Sequence, residues 1–129
     1  MTVQDDRETS LAGLRVLIVE DEALIAMEIA DLLTSLQAET LGPVPTVRAA
    51  LDALAAERPD AAALDLNLRG ERSTPVAAAL REAGTPFVLV TGYAGGHIDE
   101  PALRDAPRVP KPVEAAELAR ALRRSLSRG

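Results

Sequence analysis

Apolar residues along this chain follow two alternating rhythms: short unbroken runs, and longer stretches that repeat every three or four positions. Leu14 to Val19 is apolar apart from Arg15, and Ala61 to Leu64 and Phe87 to Val90 are apolar throughout. Runs this short, with no polar alternation, suit strands covered on both faces. After the first run, Ile25, Ile29, Leu32, Leu33 and Leu36 recur at helical spacing, with Glu28 and Asp31 on the other side, predicting an amphipathic helix. A short strand over Glu39 to Leu41 is expected to end at Gly42 and Pro43. Thr46 can cap a second helix running to about Glu57, with apolar positions Val47, Ala50, Leu51 and Leu54. A loop from Asn67 to Ser73 contains Gly70, and a third helix follows from Thr74 or Pro75 to Glu82, with Pro75 in its first turn. Pro101 limits a fourth helix to a short or frayed piece near Ile98 to Arg104. Arg108 to Pro110 is a minimal fifth strand, and Val113 to Leu126 closes the chain as a helix with Ala115, Leu118, Ala119 and Leu122 inward. Five strands alternating with five helices predict an α/β fold, a doubly wound parallel sheet with helices on both faces. Residues 1–12 read as a flexible N-terminal arm and 13–127 as a single domain.

Composition narrows the function classes. A chain of 129 residues can bury one good core. Aromatics are only 2%, so that core must rest on Ala, Leu, Val and Ile. A net charge of -6 argues against a nucleic-acid binder that relies on overall attraction. The basic cluster Arg120, Arg123, Arg124 and Arg128 falls at the C-terminal end of the last helix, where cations complement the helix dipole. Without cysteine there are no disulfides or thiolate metal sites. No apolar run approaches the roughly 20 residues of a spanning helix. Met1 to Ser10 is polar and unlike a secretory signal, so a cytoplasmic location away from membranes is the default expectation.

The candidate chemistry sits where strands stop. Glu20 and Asp21 follow the first strand, Asp65 the third and Thr91 the fourth, and Lys111 comes just after the fifth. Parallel strands present their C-terminal ends on one rim, where open α/β sheets hold ligands. Three carboxylates converging there would resist ionising together. A divalent cation and an ammonium group would relieve the repulsion, and Lys111 is the only lysine among the 14 lysines and arginines. Mg²⁺ (or Mn²⁺) suits such a site, because it takes oxygen ligands and keeps several waters. Asp21 and Asp65 are the best direct ligands, Glu20 is expected to act through water, and the Asn67 carbonyl is a candidate third contact.

The set Val19-Glu20-Asp21-Glu22, Leu64-Asp65-Leu66-Asn67-Leu68, Thr91-Gly92 and Lys111-Pro112 resembles the receiver domain of two-component response regulators over about residues 13 to 127. The resemblance implies a flavodoxin-like sheet of order 2-1-3-4-5 and a Lys111–Pro112 bond that is cis. Asp65 would be the phosphoacceptor, attacking a phosphohistidine on a sensor histidine kinase in a Mg²⁺-dependent reaction. Lys111 and Thr91 would contact the phosphoryl oxygens, and Thr91 would draw the following loop inward as the switch. The run Pro86 to Tyr93 partly matches the Phe-Ala-Thr-Gly-Tyr signature of an alphaproteobacterial single-domain subgroup, with Leu89 and Val90 in place of Phe and Ala. That subgroup pairs with kinases of the HWE and HisKA2 families. The resemblance implies a phosphoprotein that is no enzyme beyond its own phosphotransfer and autodephosphorylation.

One departure stands out: Arg108 occupies the position where most receivers carry an aromatic switch residue, three before the lysine. Tyr93 or Arg108 is then the candidate for readout toward a partner. Asn67 and Tyr93 border the attacking water by resemblance and are expected to tune dephosphorylation. His97 reads as a passive loop residue, and Arg69, Glu71 and Arg72 as solvated loop charges. The chain ends with its last helix, so output is expected through protein contact, as a stand-alone regulator or as a phosphate shuttle or sink in a phosphorelay with a phosphotransfer protein. An aspartate-nucleophile phosphatase would want a second acid two residues after the nucleophile, and that residue is Asn67. Dinucleotide binding would need a glycine-rich loop where Glu20-Asp21-Glu22 stands.

Overall fold

A computed structural model describes residues 10–92 and 98–128. In chain order its elements are β1 (Arg15–Val19), α1 (Ala23–Ser35), β2 (Glu39–Val44), α2 (Val47–Ala56), β3 (Ala61–Asp65), β4 (Asn67–Leu68) and β5 (Glu71–Arg72). There follow α3 (Thr74–Glu82), β6 (Phe87–Thr91), α4 (Pro101–Arg104), β7 (Arg108–Pro110) and α5 (Ala115–Arg128). Five of the strands form one parallel sheet in the order β2-β1-β3-β6-β7, the expected 2-1-3-4-5 once the small β4–β5 hairpin is set aside.

The unbroken apolar runs are explained by two covered faces. Every residue of β3 and β6 is buried, and so is all of β1 except Arg15. Successive side chains point to opposite sides. Val16, Ile18, Ala61, Ala63, Val88, Val90 and Val109 therefore meet Ile29 and Leu33 of α1 and Leu118, Ala119 and Leu122 of α5. Leu17, Val19, Ala62, Leu64, Phe87 and Leu89 meet Val47 and Ala50 of α2, Val76, Ala77 and Leu80 of α3, and Leu103 of α4. Each buried Leu, Val or Phe contributes about 1.5–3 kcal/mol. This double layer fixes the register of the strands, and the register fixes their ends.

Local signals act as read. Thr46 Oγ1 accepts the Ala49 N–H at 3.0 Å and caps α2, and Pro75 sits in the first turn of α3. The exposed face of α1 is less polar than its pattern suggests: Leu24 is 78% and Met27 60% exposed.

Four expectations change. The strand expected to end at Gly42 continues to Val44, because Gly42 takes φ +85 and the pairing with β1 shifts register between Leu17 and Val19 before Val19 meets Val44. Pro43 is tolerated because β2 is an edge strand. The Gly42–Pro43 and Lys111–Pro112 bonds are both cis, the second as the resemblance implied. Packing begins inside the span read as an arm, since Leu11 is fully buried and its N–H donates to the Leu36 carbonyl at 2.7 Å. Helix α4 is short as expected, at Pro101–Arg104, but α5 begins at Ala115, two residues later than expected. The loop after Asp65 holds a hairpin. Arg69 and Gly70 both have positive φ (51 and 80), as a primed two-residue turn requires, and the Ser73 N–H and hydroxyl both donate to the Leu66 carbonyl.

Candidate functional site

Strand register assembles the site. Val19 pairs with Leu64, so Glu20 and Asp65 leave neighbouring strands side by side. Asp65 pairs with Val90, and Thr91 with Pro110, so Thr91 and Lys111 continue the same rim. The Lys111 N–H donates to the Thr91 carbonyl at 3.0 Å, locking the last two together. Residues far apart in sequence thus share one edge of the sheet.

Glu20, Asp21 and Asp65 each offer a carboxylate oxygen, all within 4.8 Å of one another. Lys111 Nζ lies 3.2 Å from Glu20 Oε1 and 3.5 Å from Asp65 Oδ2, so one ammonium serves two buried acids. Glu20 Oε2 accepts the Glu22 N–H at 3.1 Å. Asp21 Oδ2 accepts the Arg69 N–H at 2.9 Å, which ties the tip of the β4–β5 hairpin to the site. Thr91 is buried at the end of β6.

The charges do not balance. Burial pushes the Glu20 carboxyl up to about 7, with the nearby Asp65 charge adding to it, against the Glu22 amide and Lys111. Burial also raises Asp65, with Asp21 adding repulsion, while the Lys111 charge and the Glu20 hydrogen bond oppose the rise only in part. For Asp21 the smaller burial penalty is outweighed by hydrogen bonds from the Arg69 amide and the neighbouring carboxyls, so its pKa falls. Burial would lower Lys111, but attraction to Asp65 and Glu20 wins and raises it.

This donor set fits a divalent cation. Among the described residues, Glu20 Oε1 is buried with no aligned hydrogen-bond donor and has the Lys111 ammonium as its neighbour of opposite charge. Three hard oxygen donors converge beside it, with no sulfur or imidazole in the group, which suits Mg²⁺ or Mn²⁺ rather than a softer metal.

The residues singled out from sequence separate into three groups. Glu20, Asp21, Asp65, Thr91 and Lys111 come together on the rim. Asn67 is exposed on β4, two residues past Asp65, with its side-chain oxygen accepting from Arg72. Arg108 is half-buried and pairs with Leu89, whose side chain packs in the layer of α2, α3 and α4. That puts Arg108 on the α4 side of β7. Tyr93 and His97 lie outside the described residues.

Of the three hairpin charges, Arg69 and Glu71 are exposed as expected, and Arg72 differs. Arg72 is not merely solvated: its Nε donates to Glu100 Oε2 at 2.7 Å, and Nη1 donates to Asn67 Oδ1 at 3.3 Å. The Arg72 hydrogen bond holds the Glu100 carboxyl below its usual range. Gly70 was the available signal for the hairpin, but no local pattern links residue 72 to residue 100.

Comparison with known proteins agrees with this geometry. The family described as "Response regulator receiver domain" matches residues 16–123. A search of curated proteins finds no significant match. Among solved structures, SdrG from Sphingomonas melonis Fr1 superposes with a TM-score of 0.77 at 45% identity, over 88% of this chain and 96% of that one. The receiver domain of the PhyR response regulator from Erythrobacter litoralis gives 0.78 at 25% identity, over 91% and 92% of the two chains. The PhyR response regulator from Brucella abortus gives 0.78 at 26% identity and covers 98% of this chain, which spans only 52% of that longer one. Because the family match runs over residues 16–123 and includes Glu20, Asp21, Asp65, Thr91 and Lys111, this chain belongs to the response regulator receiver domain family.

Proposed function

We propose that this protein accepts a phosphoryl group on Asp65 from a phosphohistidine of a sensor kinase and signals by a change of protein partners. The observation that carries the reading is the convergence of three carboxylates within 4.8 Å of one another beside a single ammonium 3.5 Å from Asp65. Receiver domains in general bind Mg²⁺ on such a cluster and interact with histidine kinases.

In the transfer, an Asp65 oxygen forms a bond to phosphorus as the phosphorus–nitrogen bond breaks, and the electron pair leaves with the imidazole. Positioning and electrostatics dominate such steps. Lys111 supplies a fixed positive charge at the acceptor, already paired to it before reaction. Thr91, whose carbonyl accepts the Lys111 N–H, would offer its hydroxyl to a phosphoryl oxygen. Asp21 and Asp65, with the Asn67 carbonyl, would hold Mg²⁺ and Glu20 would support it through water. When bound, the ion would offset the negative charge of acceptor and phosphoryl group. Bonds to the new phosphoryl group then favour one arrangement of the segment after Thr91.

The partner reading is a kinase of the HWE or HisKA2 type, supported by the partial Phe-Ala-Thr-Gly-Tyr match at Phe87 to Tyr93 and by the 45% identity to SdrG. Leu24 and Met27, exposed on the helix that starts just after the acidic pair, offer such a partner an apolar contact. Activity is confined to this self-catalysed transfer and its hydrolysis, since Asn67 stands where a phosphatase would carry its second acid. No helix among the described residues is long and apolar enough to cross a membrane, and a cytoplasmic site of action is part of the proposal. The test is incubation with acetyl phosphate and Mg²⁺. One phosphoryl group is expected per chain, with no uptake when the metal is chelated beforehand and none in Asp65→Asn; label that survives in that variant removes the assignment.

A further inference from the structure

Arg72 holds two partners at once, and they belong to different parts of the molecule. Its Nε donates to Glu100 Oε2 at 2.7 Å and its Nη1 to Asn67 Oδ1 at 3.3 Å. Glu100 is the N-cap residue of α4, whereas Asn67 lies on β4 two residues past Asp65. Leu64, Leu66 and Leu68 all pack into the same core layer, and Asp65 and Asn67 alternate with them on either side of the bend at Leu66. Two positions along a chain lie at most about 7 Å apart, close enough for the Asn67 side chain to border a group carried on Asp65. A carboxamide has one acceptor oxygen and an amino group with two donors. With the oxygen engaged by Arg72, the amino group is the end available to the acceptor.

We propose that Arg72 is a positioning residue for loss of the phosphoryl group: it orients the Asn67 amide so that its amino group holds the attacking water, while Glu100 fixes Arg72. In that hydrolysis a water oxygen bonds to phosphorus, and the bond from phosphorus to the Asp65 oxygen breaks. The electron pair returns to the carboxylate, and the water's proton leaves with phosphate or solvent. The inference rests on Asp65 being the acceptor. It adds that the lifetime of the phosphoryl group depends on the relay Glu100–Arg72–Asn67, and hence on where α4 begins. A guanidinium presents its donors in a rigid planar fork that fixes the orientation of both partners, and a lysine ammonium at the same place does not reproduce that fork.

The test is the decay of label on protein phosphorylated with acetyl phosphate and Mg²⁺, then freed of donor. Removing one directly acting donor typically slows a reaction by about 10²–10³, so a residue acting through it is expected to cost less, about fivefold. Arg72→Ala and Arg72→Lys should both decay about fivefold more slowly than wild type, and Glu100→Gln should shift decay in the same direction. Because Arg72 acts through Asn67, the double variant Arg72→Ala/Asn67→Ala should decay no more slowly than Asn67→Ala alone. A merely structural role for Arg72 would give additive effects, and that result overturns the relay. So does a wild-type decay rate in Arg72→Ala, or full rescue in Arg72→Lys. Failure of the wild-type protein to take up label overturns the acceptor assignment itself, and the relay with it.

Discussion

Glu20 is the residue where the electrostatics of the site are most exposed to experiment. Its ordinary value is 4.5, and burial raises it to about 7 in the folded protein. Between those values the folded state holds a proton that the unfolded chain gives up. Metal-free protein should therefore be most stable, as far as Glu20 decides it, below pH 4.5, and should lose that contribution as pH rises through about 7. Denaturant midpoints across this range test it: the midpoint should fall with rising pH, Glu20→Gln should flatten the curve, and Mg²⁺ should restore stability at the alkaline end. A midpoint that rises in metal-free wild type over the same range would contradict the sign. At this scale the sequence was informative about identity and silent about pairing. Strand-end acids and a lone lysine are visible in the chain, and the register brings them together as expected. That Glu20 would be buried against Lys111, 3.2 Å away, depends on the depth of the rim, which no local pattern encodes.

Among the elements, β2 shows most clearly what a glycine does here. At Gly42 a Cβ would stand 2.9 Å from the Val44 nitrogen and 3.0 Å from the Ile18 carbonyl oxygen, with φ at +85. Both the backbone conformation and the space exclude a side chain. Gly42→Ala should cost about 1–3 kcal/mol, read as a lower denaturant midpoint with an unchanged slope. An unchanged midpoint would show that β2 can end before Gly42 without loss. The sequence marked Gly42 and Pro43 as a stop, because both residues usually punctuate strands. It could not show that a register shift lets an edge strand resume at Val44. Elements built on long periodic patterns were legible, such as α1, α2 and the buried strands. The two-residue strands β4 and β5 were not, since only the turn at Arg69 and Gly70 and the closing bonds from Ser73 define them. Leu11 was assigned to an arm for a related reason: one apolar residue has no period, and its burial follows from tertiary contact with Leu36.

For the molecule as a whole, the sheet gathers charge on one rim, and the helix that follows the acidic pair exposes two large apolar side chains. Leu24 and Met27 bury little of themselves, so replacing both with serine should leave the denaturant midpoint nearly unchanged while slowing phosphotransfer from the cognate kinase. Equal transfer rates in wild type and the double variant would move the docking surface elsewhere. The architecture that makes such docking useful was legible as a class, because five buried or half-buried strands alternating with helices admit few arrangements. The links between distant segments, Arg72 to Glu100 and Arg69 to Asp21, exist only in the folded chain and leave no local pattern in the sequence. The central claim is that this gathering of charge makes one particular carboxylate the acceptor. The most direct measurement is residue-level mapping of the label: phosphorylate with acetyl phosphate and Mg²⁺, reduce the acyl phosphate with borohydride, and sequence the peptides by mass spectrometry. Reduction converts the labelled aspartate to homoserine, and the account predicts homoserine at position 65 alone. Homoserine at position 21, or a modified residue away from the rim, would contradict it.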